Sequence, residues 1–466
     1  MSAPPTGVKA VLKEVLRTKS GVVAFALLIF IASLAILVPI WAPYDVVKKW
    51  NDQRAWIENP RVAAPEWVEF FVGKKLPKTI KLYPDDFKKR SFVVTYKNLT
   101  MKKIYLSTSF RYKYDDFPSE FRFFLFVRSK GKVEVTVRFI RPDRSEIVIS
   151  GLTLENGTKV IDSTDELVLE KTTEFVKSIT GREPVVVAPE VYFFAVKSPD
   201  MYDISKVKVL KGTYRVDIEV TGFSEEDDVD VKLIIYGKVY GLAGTDDMRR
   251  DLMIGILWGA PVALAFGLIT AICVTLLQTI FGIISGFYGG KVDEIIQRIT
   301  DVMMIIPLLP ILILISFFYR PGIFSLILVL IAFGFVGTTT KVVRSMVLQI
   351  REEPCIEAAK SYGASNWRII LRHIFPRVLP YTFSIISISV PVYIFTEAAL
   401  SFLGLGDPVL PTWGKILGDA EAAGAPIHGY WWWVLIPAGF ISLTAAAFAL
   451  LGYAFDKVVN PRLREM

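Results

Sequence analysis

The sequence predicts an α-helical membrane protein with six transmembrane helices and a mainly-β extracytoplasmic domain inserted between helices 1 and 2. Three observations carry that prediction. Hydrophobic residues make up 52% of the 466-residue chain, too many for an ordinary soluble enzyme. Charge is segregated, with 34 of the 54 Lys and Arg and 29 of the 46 Asp and Glu lying between residues 46 and 245. Outside that stretch, six charge-free windows occur, each close to or longer than the roughly 20 helical residues that hydrocarbon about 30 Å thick requires.

The first window, 21–44, follows Lys9, Lys13, Arg17 and Lys19. It is longer than the apolar stretch of a signal peptide, and Trp41-Ala42-Pro43 makes a poor cleavage site. Residues 1–45 therefore read as a cytoplasmic tail and transmembrane helix 1. The domain at 46–245 reads as strands. Val133, Val135, Val137 and Phe139 alternate with Glu134, Thr136 and Arg138, and Val229, Val231, Leu233 and Ile235 alternate with Asp230, Lys232 and Ile234, the period of a half-buried antiparallel sheet. Residues 163–181 read as one capped helix, and the architecture expected is a β-sandwich.

The remainder, 246–466, is a five-helix core. Window 252–290 reads as an interfacial stretch followed by the second span. Windows 302–319 and 321–340 are two spans joined at Arg320, and 378–396 and 422–455 are the fifth and sixth. Unsatisfied backbone groups are too costly in lipid for anything but helices. Lys341, Arg344, Arg351, Lys360, Arg368, Arg372 and Arg377 crowd the loop 341–377, which with the basic N-terminal tail places both in the cytoplasm. An even number of spans returns the C-terminal tail, with Lys457, Arg462 and Arg464, to the same side and leaves 46–245 outside.

The densest motif lies in that loop: Glu357-Ala358-Ala359-Lys360-Ser361-Tyr362-Gly363-Ala364-Ser365. Pro354 suits a first helical turn, Gly363 can redirect the chain, and Ser365 can cap a second short helix. The expected product is a protruding knob on which Ala358 and Ala359 let a partner backbone approach. This pattern resembles the signature loop of binding-protein-dependent ABC importer permeases, whose loop helix docks on a cytoplasmic ATPase. Three further stretches resemble the dipeptide/oligopeptide/nickel branch, in particular the second of its two permeases. Gly244-Thr245-Asp246-Asp247 with Arg250-Asp251 is similar to the family's Gly-Thr-Asp-x-x-Gly-Arg-Asp motif before the second span. Glu397 to Gly406, including Gly404, with Trp413-Gly414, resembles the outer loop between spans five and six, and Asn460-Pro461-Arg462-Leu463-Arg464 resembles the family's ending. Arg249 stands where the family usually has Gly, and 46–245 is far longer than the usual loop. The resemblance implies the permease fold, a second non-identical permease, two cytoplasmic ATPases that bring ATP and Mg, and an extracytoplasmic solute-binding protein. It also implies that Glu357 to Ser365 couple to the ATPase, and Glu397 reads as a contact with the partner permease.

Other readings weaken on inspection. Gly-Lys pairs at 73, 131, 237, 290 and 414 are followed by Lys, Val, Val, Val and Ile, so no phosphate-binding P-loop exists in the chain. His373 and His428 have no metal-ligand or triad spacing, and Cys273 and Cys355 make no framework. The net charge of +8 is interleaved with acids, unlike a nucleic-acid stripe. An ion-gradient transporter or channel with a β-domain sensor would want ionisable groups mid-span. The acidic run Glu225–Asp228 reads as a solvated turn, and Tyr430–Trp433 as an interfacial aromatic belt. Six Asn and four Gln against many Lys and Glu hint at a heat-adapted protein. Substrate is not readable, because in such systems the binding protein does much of the selecting.

Overall fold

The computed structural model describes residues 13–96, 99–319, 321–407 and 409–459. Lys9, Arg320 and the 460–464 ending lie outside the described residues. The chain divides into two compact units, one of Asp52–Leu252 and one combining the segment before Asp52 with Met253–Met466.

Helix α1 (Lys19–Trp41) begins at Thr18, whose hydroxyl accepts the Gly21 N–H at 3.0 Å. Ala24 and Ile31 are buried while Ile29, Ile36 and Ile40 are exposed. A helix apolar on both its packed and its open side suits lipid.

The Asp52–Leu252 unit is a β-sandwich whose named strands pair antiparallel. Its strands are β1 (Ile80–Leu82), β2 (Lys88–Tyr96), β3 (Leu99–Tyr112), β4 (Glu120–Arg128), β5 (Val133–Ile140), β6 (Glu146–Leu154) and β7 (Gly157–Asp162). Helix α2 (Glu166–Thr180) follows, then β8 (Gly212–Gly222) and β9 (Asp228–Tyr236). One sheet runs β1-β9-β4-β7 and the other β2-β3-β8-β5-β6. Phe121, Phe123 and Leu125 of β4 and Val229, Val231 and Leu233 of β9 share one core with Ile104, Val137, Val216 and Ile218 of the second sheet. Each such side chain stabilises the fold by about 1.5–3 kcal/mol on burial. The alternation lapses at the end of β9, where Leu233 to Tyr236 are all buried. There the outer face is covered too, by Ile57, whose carbonyl accepts from the Tyr236 hydroxyl at 2.6 Å.

Helix α2 buries Val168, Thr172 and Val176 at four-residue spacing and ends at Gly181 with φ +70°. The acidic run is not simply solvated. Asp227 is buried, and its carboxylate accepts the N–H groups of Phe223 and Ser224, both at 2.9 Å, so it builds the β8–β9 turn.

In the membrane unit, α3 (Leu252–Tyr288) is one helix of 37 residues. It runs through the expected interfacial stretch and second span without a break. A Cβ on Gly255 would lie 2.5 Å from Trp50 and one on Gly259 2.4 Å from Trp413. Small residues let such neighbours approach closely. Next come α4 (Gly290–Ile305) and α5 (Leu308–Tyr319), bent by 71° around Pro307, then α6 (Ile323–Gly334) and α7 (Thr338–Arg351), bent by 46°. Proline accounts for the first bend, because it lacks the N–H that would continue the helix. After α8 (Pro354–Ser361) and α9 (Asn366–Ile369), a π-turn (Ile370–Ile374) leads into α10 (Phe375–Phe402), followed by α11 (Trp413–Ala422) and α12 (Trp431–Val459). Ile31 of α1, Ala263 and Ala271 of α3, Ile394 of α10 and Phe448 and Leu451 of α12 form the central cluster. Among the described residues four helices are each long and apolar enough to cross a membrane, or up to six if each bent pair is one span.

Candidate functional site: a knob between two long helices and a charged span start

The basic loop folds as a knob. Glu353 has extended geometry at the N-cap of α8 and Pro354 takes the first turn. Gly363 has φ +76°, a conformation that costs a Cβ-bearing residue about 1 kcal/mol or more. The Gly363 N–H reaches the Lys360 carbonyl at 2.9 Å and the Ala364 N–H reaches Ala359 at 3.0 Å. The Ser365 hydroxyl then accepts the Arg368 N–H at 3.4 Å, starting α9.

Burial divides the knob into a face and an underside. Glu357, Ala358, Lys360, Gly363 and Ser365 are exposed, as are Trp367 and, at 92%, Tyr362; Ala359 and Ala364 are half-buried. Beneath them Ile356, Ile369, Ile370 and Ile374 pack with Ile283 and Phe287 of α3 and Val343 and Val347 of α7. The Arg377 guanidinium, at the start of α10, pairs with Glu353 and holds its carboxyl below the usual range. The knob is thus fastened to α3, α7 and α10 together.

Sequence reasoning missed how α3 and α7 meet. A Cβ on Gly282 would lie 2.7 Å from the Thr340 carbonyl and one on Gly286 2.8 Å from that of Arg344. The signal was present, since Gly282 and Gly286 form a G-x-x-x-G pair in an apolar run. Beside this crossing Arg344 makes a bidentate pair with Asp293, at 2.6 and 2.5 Å, and Ser285 donates to the same carboxylate at 2.5 Å. Such forked pairs fix orientation as well as distance.

The second candidate lies wholly within the sandwich unit. Gly244 has φ +77°, and its carbonyl accepts the N–H of Leu252, the first residue of α3, at 3.1 Å. The Thr245 hydroxyl donates to the Pro60 carbonyl at 2.7 Å and accepts the Ala63 N–H at 2.9 Å. Asp246 accepts from the Arg250 backbone at 2.8 Å and side chain at 2.5 Å, both residues being buried, and Asp251 bridges back to Thr245. Burial raises the Asp246 carboxyl to about 6 against the pull of Arg250. Arg249 has φ +67°, a conformation that glycine takes without strain. Its guanidinium donates to the Asn59 carbonyl at 2.8 Å, pairs with Glu120 of β4 and lies 4.5 Å from the Tyr236 ring centre.

The outer-loop residues correct an expectation. Glu397 is 3% exposed and accepts from Ser401 at 2.6 Å, so in this structure it is satisfied inside its own chain instead of facing a partner. Trp413 is likewise buried, its indole donating to the Ile256 carbonyl at 2.8 Å. Gly414 allows α11 onto α10, where a Cβ would meet the Ala398 carbonyl at 2.4 Å. Gly404 caps α10 with φ +73°, and Gly406 packs against Ser401. Of the supposed aromatic belt, Trp432 and Trp433 turn inward, leaving Tyr430 and Trp431 more open.

Residues 278–465 match the family described as "Binding-protein-dependent transport system inner membrane component". The chain is 35% identical over 224 residues to the oligopeptide transport system permease protein OppC of Bacillus subtilis, covering 48% of this chain and 72% of that one. It is 36% identical over 224 residues to the dipeptide permease DppC of the same organism, covering 47% and 68%. To the glutathione permease GsiD of Pectobacterium atrosepticum it is 32% identical over 224 residues, covering 47% and 72%.

Proposed function

Because the chain belongs to the family of binding-protein-dependent transport system inner membrane components, we propose that the knob of Glu357 to Ser365 passes ATP-driven movement to α3 and α10. The chain is a permease subunit of a binding-protein-dependent ABC importer of the dipeptide/oligopeptide type, a transport component and not an enzyme. An ion-gradient transporter or channel is not favoured by these relatives.

In this reading six spans cross the membrane, each bent pair counting as one, with both termini in the cytoplasm and the sandwich outside. The chain pairs with a second, non-identical permease. Two cytoplasmic ATPases bind ATP and Mg, and an outer solute-binding protein delivers peptides or related solutes. The sandwich contacts or restrains that binding protein, being on the delivery side. Supporting the coupling role is one observation above all: an exposed face of charged, small and aromatic residues whose apolar underside is packed into the ends of two long helices. A push on such a face moves helices, because packed interiors transmit strain.

Replacing Gly363 tests it. Nothing lies within 4 Å of a Cβ built there, so Gly363→Glu changes the face and its backbone without disturbing the core. ATP-coupled uptake in proteoliposomes should be lost while the four-subunit complex still assembles. Unimpaired uptake would sink the coupling assignment.

A further inference from the structure

Near the start of α3 the sandwich unit carries aromatic side chains that its own fold does not use. Glu66–Val68 and Glu69–Val72 make two short helical turns that stop at Gly73, with φ +66°, and run into Lys74 and Lys75. Phe70 and Phe71 are 88% and 82% exposed, whereas Phe121, Phe123 and Phe139 of the same unit are buried in its core. Leaving a phenylalanine in water forgoes about 1.5–3 kcal/mol, and a contiguous exposed apolar patch marks a contact.

The patch is fixed beside the chain that becomes α3. The Glu66 N–H donates to the Gly241 carbonyl at 2.9 Å, and the Trp67 indole donates to the carbonyl of Leu242, itself exposed, at 2.8 Å. Trp67 also packs edge-on against Phe71, with ring centres 6.0 Å apart. Two residues beyond Leu242, the Gly244 carbonyl holds the N–H of Leu252, where 37 residues of apolar helix begin. Residues 70–75 are all exposed. Aromatic tips next to lysines at the end of a span are the composition of a membrane interface, the rings sitting at headgroup level and the ammonium groups meeting phosphates.

We propose that the turn carrying Phe70 and Phe71 is a lipid-contacting tip, inserted into the interface of the leaflet from which α3 enters, with Lys74 and Lys75 against lipid phosphates. The inference rests on α3 being a span, not on the sidedness or the coupling proposed above. It gives the sandwich a second anchor, independent of the chain connection.

The test uses the full chain in nanodiscs, with Cys273→Ala and Cys355→Ser removing its native thiols and a nitroxide placed by Phe71→Cys. Collision with oxygen relative to a water-soluble nickel complex should be several-fold higher there than for Phe223→Cys, in the exposed β8–β9 turn. Lys74→Glu with Lys75→Glu should lower that ratio in discs containing phosphatidylglycerol. A label at Ile272→Cys, on the open side of α3, checks the span itself. Lipid exposure at 272 with a water signal at 71 would overturn the tip while leaving the span standing. Shielding of position 71 that arises only when a partner protein is added would overturn it equally, in favour of a protein contact.

Discussion

The knob and the span start are both short charged segments at the end of a long apolar helix, yet they treat charge in opposite ways. Around Glu357 to Arg368 the charges lie outside and the packing beneath is apolar, with the Arg377–Glu353 ion pair beside it. At Gly244 to Asp251 the charges are the fastening, with Asp246 and Arg250 buried against each other and Arg249 bound to Glu120. The contrast teaches how to read a charged loop near a membrane. A charge run over an apolar underside is a surface for another molecule, while a buried charge pair beside positive φ is a strut. Changes at the strut should therefore appear in stability, and changes on the knob face in transport.

The largest effect expected is from Arg250→Met. It leaves Asp246 buried without its partner, which costs about 3–5 kcal/mol, and hydrogen exchange of peptides across β9 and 244–252 should rise accordingly. Lys360→Ala, by contrast, should change stability by less than about 0.5 kcal/mol while lowering coupled uptake. A variant that behaved the other way round would break the distinction.

The pH dependence sharpens the same point. The folded-state value of about 6 for Asp246 lies above its ordinary 3.8, so the fold prefers the protonated form. This contribution is fully present below 3.8, and is lost as pH rises towards and through 6. The interval corresponds to on the order of 3 kcal/mol. Exchange protection of the wild type relative to Asp246→Asn should therefore fall between pH 4 and 7; a pH-independent difference would contradict the burial argument.

Smaller effects follow from close packing. Gly286→Ala places a methyl 2.8 Å from the Arg344 carbonyl, an overpacking cost of about 1–3 kcal/mol, and should loosen α7 on α3 in exchange measurements. Smallest should be Arg249→Gly. It relieves a backbone strain of about 1 kcal/mol but forfeits the Glu120 pair and the Tyr236 contact, so a modest net loss of protection in β4 is expected.

Much of this was legible in the sequence where one physical rule dominates. The period-two strands Val133–Ile140 and Asp228–Tyr236 were readable because a sandwich buries one face per strand, and the reading failed at Ile234, where a second layer covers the other face. Pro354, Gly363 and Ser365 announced the knob because caps and turns are local chemistry. Tertiary packing was not legible: the close approach of Trp50 to Gly255 and of Trp413 to Gly259 joins residues distant in sequence. Glu397 was misread because its burial depends on packing that a single sequence does not display, while Ser401, one turn along, satisfies its carboxylate. The family match begins at residue 278, so the sandwich of Asp52–Leu252 had only its own pattern to speak for it.

The coupling face can be tested by contact as well as by consequence. With the photoreactive benzoylphenylalanine in place of Tyr362, the most exposed aromatic of the knob, irradiation of the reconstituted importer should give an adduct with the ATPase subunit whose yield changes on ATP addition. An active importer that gives no such adduct, or one in which position 362 crosslinks only to lipid, would contradict the assignment.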